Sequence, residues 1–305
     1  MPAIPVILDC DPGLDDAIAM LLALGSPEIE LLAVTAVSGN VPLHHTLANA
    51  IRVLDHVGRQ DIPVAAGADR PLVRDPIEHS SVHGPTGLDG PDLPPPARDP
   101  VDAHAIDLMA DIAGSSERPV TLVATGPLTN VALFAARHPQ AAARLERVVI
   151  MGGAIGLGNV TPAAEFNIWA DPEAARRVFT SGLDVTMAGL DVTHRALLTA
   201  EHNERLRGLG RAGRLTAEMV DFYSRFHSHL PGSPMHDAVA VGHVVNPDLL
   251  QTVLCHVEVD CGPLSRGRTL VDLRGVGGAR PNVHVATEID PGFIDFMIER
   301  ISAVG

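Results

Sequence analysis

The stretch "DCDPGLDDA" puts four aspartates, Asp9, Asp11, Asp15 and Asp16, into eight positions directly behind an apolar run. Like charges about 5 Å apart repel by roughly 1 kcal/mol in water, and by more where water is partly excluded. One aspartate can cap a helix and another can favour its dipole. Four ask for more, and a divalent cation supplies it, because hard cations take oxygen ligands. Farther along, "MHDAVA" sets His236 beside Asp237. Asp237 is a natural N-cap for the apolar helix behind it, or a second carboxylate for the same cation. Its neighbour is an imidazole whose ordinary titration range can place a proton near neutral pH.

Further polar residues fall where strands end. Asn40 closes "VSGN", as a turn residue or a ligand, and Thr125 ends "VTLVAT" ahead of Gly126-Pro127, where its carbonyl can start a turn or reach a metal. Met151 in "MGG" is a core residue or part of a pocket wall. Glu165 and Asn167 in "AEFN" stand two apart; in an extended segment both face one way, which suits a grip on a polyhydroxylated ligand. His83 lies in a long loop, as solvated surface or part of a lid. His227 and His229 read as surface positions or as an arm over the site. His44, His45, His194 and His243 read as structural or solvated.

Apolar runs of strand length alternate with segments of helical period. Strands are expected at 4–9, 29–40, 62–67, 120–125, 147–153 and 183–191, and helices at 15–25, 43–58, 101–113, 128–139, 171–182 and 236–245. Residues 199–229 read as one or two helices, "VLCHVEVD" and "RTLVDL" as a late hairpin, and 291–303 as a closing helix. Residues 68–100 are rich in Pro, Gly and Asp without a period, and a loop that long is usually functional. This alternation predicts an α/β fold, an open and mostly parallel sheet with helices on both faces, spanning 1–305 as one domain. In such sheets ligands bind beyond the carboxyl ends of the strands.

The chain has 305 residues, 46% of them hydrophobic, and a formal net charge of −15. Such a balance argues against nucleic acid, which rewards a basic patch. Cys10, Cys255 and Cys261 fit neither a disulfide framework nor a zinc spacing. No membrane partner is expected, since no stretch reaches bilayer-spanning length, and a cytoplasmic location follows as the expectation.

Taken in order, "DCDPGLDDA", "SGN", "TGPLTN", "MGG", "AEFN" followed by "DPEAA", and "HDA" resemble the inosine–uridine-preferring nucleoside hydrolase family. That resemblance implies a nucleoside-hydrolase-type α/β fold, a bound Ca2+, hydrolysis of the N-glycosidic bond of ribonucleosides, and assembly as a homodimer or homotetramer. It implies that Asp11, Asp16 and Asp237 bind calcium through carboxylates and Thr125 through its backbone oxygen. Asp15 and Asn167 would hold ribose hydroxyls, with Glu165 and Asn159 toward the 5′ end. Asn40 would position the water or the ribose, and Met151 would line the ribose pocket. His236 matches the position that protonates the departing base, and His83 one that meets the base from the loop. His227 stands where relatives carry a second base-facing tyrosine.

The chemistry fits those residue types. A nucleoside carries no phosphate and must be held by its hydroxyls. Cleavage through an oxocarbenium-like state needs a general base for water, for which Asp11 is the candidate, and help for the leaving base, for which His236 is the candidate. Loss of the 2′-hydroxyl is expected to weaken turnover. Two other readings stay open: a metal-dependent phosphohydrolase using "DCD" as a DxD nucleophile, and a calcium-dependent ribose binder without turnover. Against the first, the chain contains no Lys and no Gly-rich phosphate cradle.

Overall fold

The computed structural model describes residues 2–76 and 82–304. The first strand, β1 (Ile4–Cys10), is apolar along almost its whole length and buried on both faces, as a central parallel strand must be. It is followed by α1 (Leu14–Leu24), β2 (Ile29–Ala36), α2 (Leu43–His56) and β3 (Val64–Ala66). After the long loop come α3 (Ala105–Ser115), β4 (Val120–Ala124), α4 (Thr129–Arg137), α5 (Pro139–Ala142) and β5 (Leu145–Met151). Two short helices, α6 (Phe166–Ala170) and α8 (Leu190–Thr193), flank α7 (Pro172–Phe179) and β6 (Val185–Ala188). The strands β7 (Leu197–Leu198) and β8 (Ser233–Pro234) pair with each other around α9 (Ala200–Arg207) and α10 (Gly210–Tyr223). The chain closes with α11 (His236–Val245), β9 (Leu250–Val259), β10 (Thr269–Asp272), β11 (Val283–Ile289) and α12 (Phe293–Ser302).

Nine strands form one sheet in the order β10-β9-β11-β6-β5-β4-β1-β2-β3. From β3 through β6 to β11 the pairing is parallel; β9 joins antiparallel to β11, and β10 antiparallel to β9. Helices cover both faces over two separate apolar cores, so the expected architecture is the observed one. Strands β2 and β3 lie to one side of β1, and β4, β5 and β6 to the other. The carboxyl ends of β1 and β4 therefore flank the point where the strand order reverses, the place where an open α/β sheet leaves a crevice.

Several expected boundaries move for local reasons. The strand expected over 29–40 stops at Ala36, and "VSGN" turns back over the end of β1. Val101 bridges to Ala65 instead of entering a helix, and α3 starts later, where the His104 side chain accepts from the Ile106 N–H. The run 183–191 is divided at Gly189: four residues are strand, and α8 follows. The "AEFN" segment is not extended as expected. The Glu165 side chain accepts from the Asn167 and Ile168 N–H groups and caps α6, so Asn167 lies in a helical first turn. Strand β11, "VHVATEI", is read by no expectation above; it ties the late hairpin to the parallel sheet. Within the long loop, residues 77–81 lie outside the described residues, and the remainder of 68–100 forms neither helix nor strand. All three cysteines are free, and no described helix is long and apolar enough to cross a membrane.

Two buried helices run away from the crevice. Every residue of α1 from Leu14 to Ala23 is buried, and so is every residue of α11. They pack against each other, and their N-termini, with the positive ends of their dipoles, meet at the ends of β1 and β4. Packing α11 this deeply encloses His243, whose Nδ1 is buried with no partner among the described residues. Burial, then the nearby Arg147, lowers its pKa from 6.5 to about 4. A histidine depressed in the fold takes up its proton first when unfolded, so this residue costs stability as pH falls from about 6.5 toward 4. The loss approaches about 2–3 kcal/mol at the acid end. The His243→Asn variant should flatten that acid limb relative to wild type, as read from urea midpoints at pH 7, 5.5 and 4.5; parallel limbs for the two proteins would contradict it.

Candidate active site

Asp11, Asp15 and Asp16 follow β1, on the turn and first helical residues that "DPGLDD" encodes, and Asp237 sits in the first turn of α11. All four are buried. Oxygens of Asp15, Asp16 and Asp237 lie within 4.8 Å of one another. Asp11 stands outside that trio of ligand atoms, although its charge is felt by Asp237. At such separations each like-charged pair is repulsive by roughly 3 kcal/mol at an effective dielectric near 20. Burial first, then the Asp16 charge, holds the Asp11 carboxyl well above the usual range. For Asp237 the causes are burial and then Asp15 and Asp16. Burial pushes Asp15 and Asp16 up to about 6.

Few protein donors offset this crowding. Asp16 accepts from the Gly13 N–H at 3.0 Å and from the Thr125 hydroxyl at 2.8 Å. Asp11 Oδ2 accepts from the Asn40 N–H at 2.6 Å, and the Asn40 side-chain amide spans the Asp11 carbonyl and Asp16 Oδ2, each at 3.2 Å. Asp11 Oδ1 is buried with no partner among the described residues. An unsatisfied carboxylate oxygen beside three further carboxylates fits an oxygen-liganded cation. The fourth aspartate of the motif has a different task. Asp9 Oδ1 accepts from Thr35 and from Asn130, at 2.6 and 2.8 Å, and so ties β1 to β2 and to α4 beneath the crevice.

The other expected residues gather around the same crevice, which has a volume of about 610 Å3, the size of a small-molecule site. Asp15, Asn40, His83, Thr125, Met151, Asn159, Glu165, Asn167, His227, His236 and Asp237 all line it. Asn167 donates from Nδ2 to the Thr125 carbonyl at 2.6 Å and to the Met151 carbonyl at 3.1 Å, joining the ends of β4 and β5. Glu165 is largely committed to the backbone: it accepts from Gly153, Asn167 and Ile168, and burial still pushes it up to about 7. Asn159 is exposed and holds the Phe166 N–H through Oδ1, and its amide nitrogen has no partner among the described residues.

The base-side wall is made of imidazoles and one tyrosine. His83 Nδ1 accepts from the Leu14 N–H at 3.1 Å, so that nitrogen is unprotonated and the 3.9 Å approach to Asp15 is not an ion pair. Burial agrees, lowering the His83 pKa to about 4. His227 faces the Tyr223 carbonyl through Nδ1 at 3.2 Å, an acceptor that obliges this nitrogen to donate. Tyr223 lies between them, stacked on His83 at 5.7 Å and tilted against His227 at 4.4 Å between ring centroids. His236 is buried, and burial followed by His194 drives its pKa well below 6.5. His194, read from sequence as structural or solvated, belongs to the cavity wall and stands edge-on to His236 at 5.4 Å. Tyr223, Phe226 and His229 also line the cavity.

An α/β sheet with its crevice at a strand-order reversal, filled by acids on one side and imidazoles on the other, has the form of a small-molecule enzyme site. The chain belongs to the inosine–uridine-preferring nucleoside hydrolase family, whose model matches residues 6–295, and its activity is that of an N-glycosidase. It is 48% identical over 307 residues to a pyrimidine-specific ribonucleoside hydrolase RihA of Citrobacter koseri, covering 98% of each chain. It is 49% identical over 307 residues to the RihA of an Enterobacter species, again covering 98% of both. Among solved structures, a purine-preferring ribonucleoside hydrolase from Gardnerella vaginalis superposes with a TM-score of 0.92 at 35% identity, over 98% of both chains.

The narrowest fit in the site is around Asp11. A Cβ on Gly39 would lie 2.0 Å from Asp11 Oδ2, and one on Gly126 would lie 2.6 Å from Oδ1. Neither glycine can gain a methyl without pushing this carboxylate aside. Gly39→Ala is expected to lower kcat/KM for the best nucleoside by about 100-fold or more, since displacements near 1 Å have such costs. Its thermal midpoint should stay within a few degrees of wild type. A kcat/KM within threefold of wild type would show that Asp11 tolerates displacement.

Proposed function

We propose that this chain hydrolyses ribonucleosides to free base and ribose with Ca2+ as its metal, and that pyrimidine ribonucleosides head its substrate range. The observation that carries the reading is the buried cluster of Asp11, Asp15, Asp16 and Asp237, with Asp11 Oδ1 left without a partner among the described residues. Carboxylates of Asp11, Asp16 and Asp237 and the backbone oxygen of Thr125 would hold the ion; Asp15, placed beside two of them, would share it with the sugar. A calcium ion bound there supplies positive charge to the crowded acids, chelation of a vicinal diol and acidification of a neighbouring water.

The remaining work falls to side chains. Asp11 accepts the proton of the attacking water as it closes on C1′, a role worth about 10²–10⁴-fold. Asn40, bonded to both Asp11 and Asp16, keeps that carboxylate aimed. Asp15 and Asn167 grip ribose hydroxyls, Met151 packs the ring, and Glu165 and Asn159 lie toward its 5′ end. Negative charge close to the ribosyl ring stabilises the oxocarbenium-like state electrostatically. His236 serves the departing base, with His83 and His227 meeting its edge. The names of the two RihA relatives support placing uridine and cytidine first.

The test is base release from uridine, cytidine, inosine, adenosine and deoxyuridine, before and after chelation. Ribonucleoside cleavage should vanish on removal of divalent ions and return with Ca2+, and deoxyuridine should be the poorest pyrimidine. Asp11→Asn should lose about 10²–10⁴-fold in kcat while still binding nucleoside. Full activity in metal-stripped protein would refute the metal, and near-normal turnover by Asp11→Asn would refute its role as base.

A further inference from the structure

The Thr193 hydroxyl is fully buried at the end of α8, and its hydrogen-bond partner is His236 Nδ1 at 2.8 Å. A hydroxyl carries one proton to donate and lone pairs to accept with. Among the described residues the Thr193 hydroxyl makes no hydrogen bond other than the one to this ring nitrogen. Were Nδ1 protonated, it would donate to Thr193 and leave the hydroxyl proton buried without an acceptor, the costly arrangement for a sealed polar group. The satisfied arrangement has Thr193 donating to the Nδ1 lone pair, which leaves the single ring proton on Nε2. That nitrogen has no partner among the described residues, and His236 lines the cavity.

We propose that Thr193 is a positioning residue that holds neutral His236 as its Nε2–H tautomer, so that the ring offers the leaving base a hydrogen-bond donor and not a lone pair. The inference rests on the reading of His236 as the group that serves the departing base. It gives that role a definite chemistry. As the bond to C1′ breaks, its electron pair stays with the base, and the Nε2–H group bonds to an acceptor on the base, a ring nitrogen or exocyclic oxygen, where that charge gathers. No proton need leave the imidazole, so no imidazolate is formed. The sequence already spaces the parts: Thr193 lies one short helix beyond β6, and His236 is the first residue of α11. His194, the residue after Thr193, stands edge-on to the His236 ring.

Thr193→Val keeps the branched shape and removes the hydroxyl; Thr193→Ser keeps the hydroxyl. With calcium-loaded full-length protein, Thr193→Val should lower kcat on uridine by about 10–100-fold. Turnover of p-nitrophenyl riboside, whose leaving group needs no such donor, should stay within about threefold. Thr193→Ser should restore most of the uridine rate. Nitrogen NMR of the wild-type protein, assigned by the signal lost in His236→Ala, should show an unprotonated Nδ1 and a protonated Nε2. A protonated Nδ1 in wild type overturns the proposal without any variant. Equal losses by Thr193→Val on both substrates also overturn it, because they mark a structural role. Running His236→Ala beside these separates two failures. If His236→Ala spares uridine, or loses both substrates equally, the role of His236 falls and the inference with it. If His236→Ala discriminates and Thr193→Val does not, Thr193 alone is refuted.

Discussion

Four buried carboxylates beside one another are the constraint around which this fold is arranged. Asp11, Asp15, Asp16 and Asp237 are each nearly sealed from solvent, and each is pushed above the ordinary carboxylate range by that burial. Hydrophobic packing gives no reason to gather them. The fold offsets part of the repulsion with what it has: the N-termini of two buried helices, the Thr125 hydroxyl, and amide groups from Gly13 and Asn40. What is left over, including an unpartnered Asp11 oxygen, is the electrostatic demand that a cation meets. The rigid apolar lengths of α1 and α11 are what keep the acids from relaxing apart.

The position of the cluster follows from topology. Strand β1 sits between β2 on one side and β4 on the other, so the connections leaving β1 and β4 diverge and open a crevice. Acids from the β1–α1 turn, the Thr125 carbonyl from the end of β4, and the Met151 carbonyl from the end of β5 then fall at one level. Asn167 stitches two of those ends together. Glycines at 39 and 126 let the Asp11 carboxylate pass between neighbouring loops.

Across the cleft the wall changes character from acid to imidazole, and there the arrangement of protons carries the information. His83 uses Nδ1 as an acceptor for a backbone N–H, whereas His227 must use Nδ1 as a donor toward a carbonyl. Their Nε2 atoms therefore have opposite hydrogen-bonding characters in the neutral rings, a donor on His83 and an acceptor on His227. Tyr223 fills the space between them. This wall is assembled from the long loop, α8, α10 and α11, elements that share no strand and little sequence proximity.

The local code of the chain decided much. Uniformly apolar runs marked β1, β4 and β5 as strands, and the helix expected from residue 171 does begin there, with Asp171 accepting from the Ala174 N–H. The acids, Asn40, Thr125 and His236 were legible because they stand at strand ends or helix starts, where an α/β sheet puts its ligands. Other features were decided by tertiary contacts. "AEFN" looked extended because two polar residues alternate, but Glu165 found three backbone donors and became a helix cap. β11 carries His284, Thr287 and Glu288 in a run too mixed to announce itself, and it became a strand because β6 and β9 left room between them. His194 and Thr193 offered no distinguishing local pattern. Their meaning depends on a ring that arrives 43 residues later in the chain, and proximity of that kind is set by packing and not by spacing.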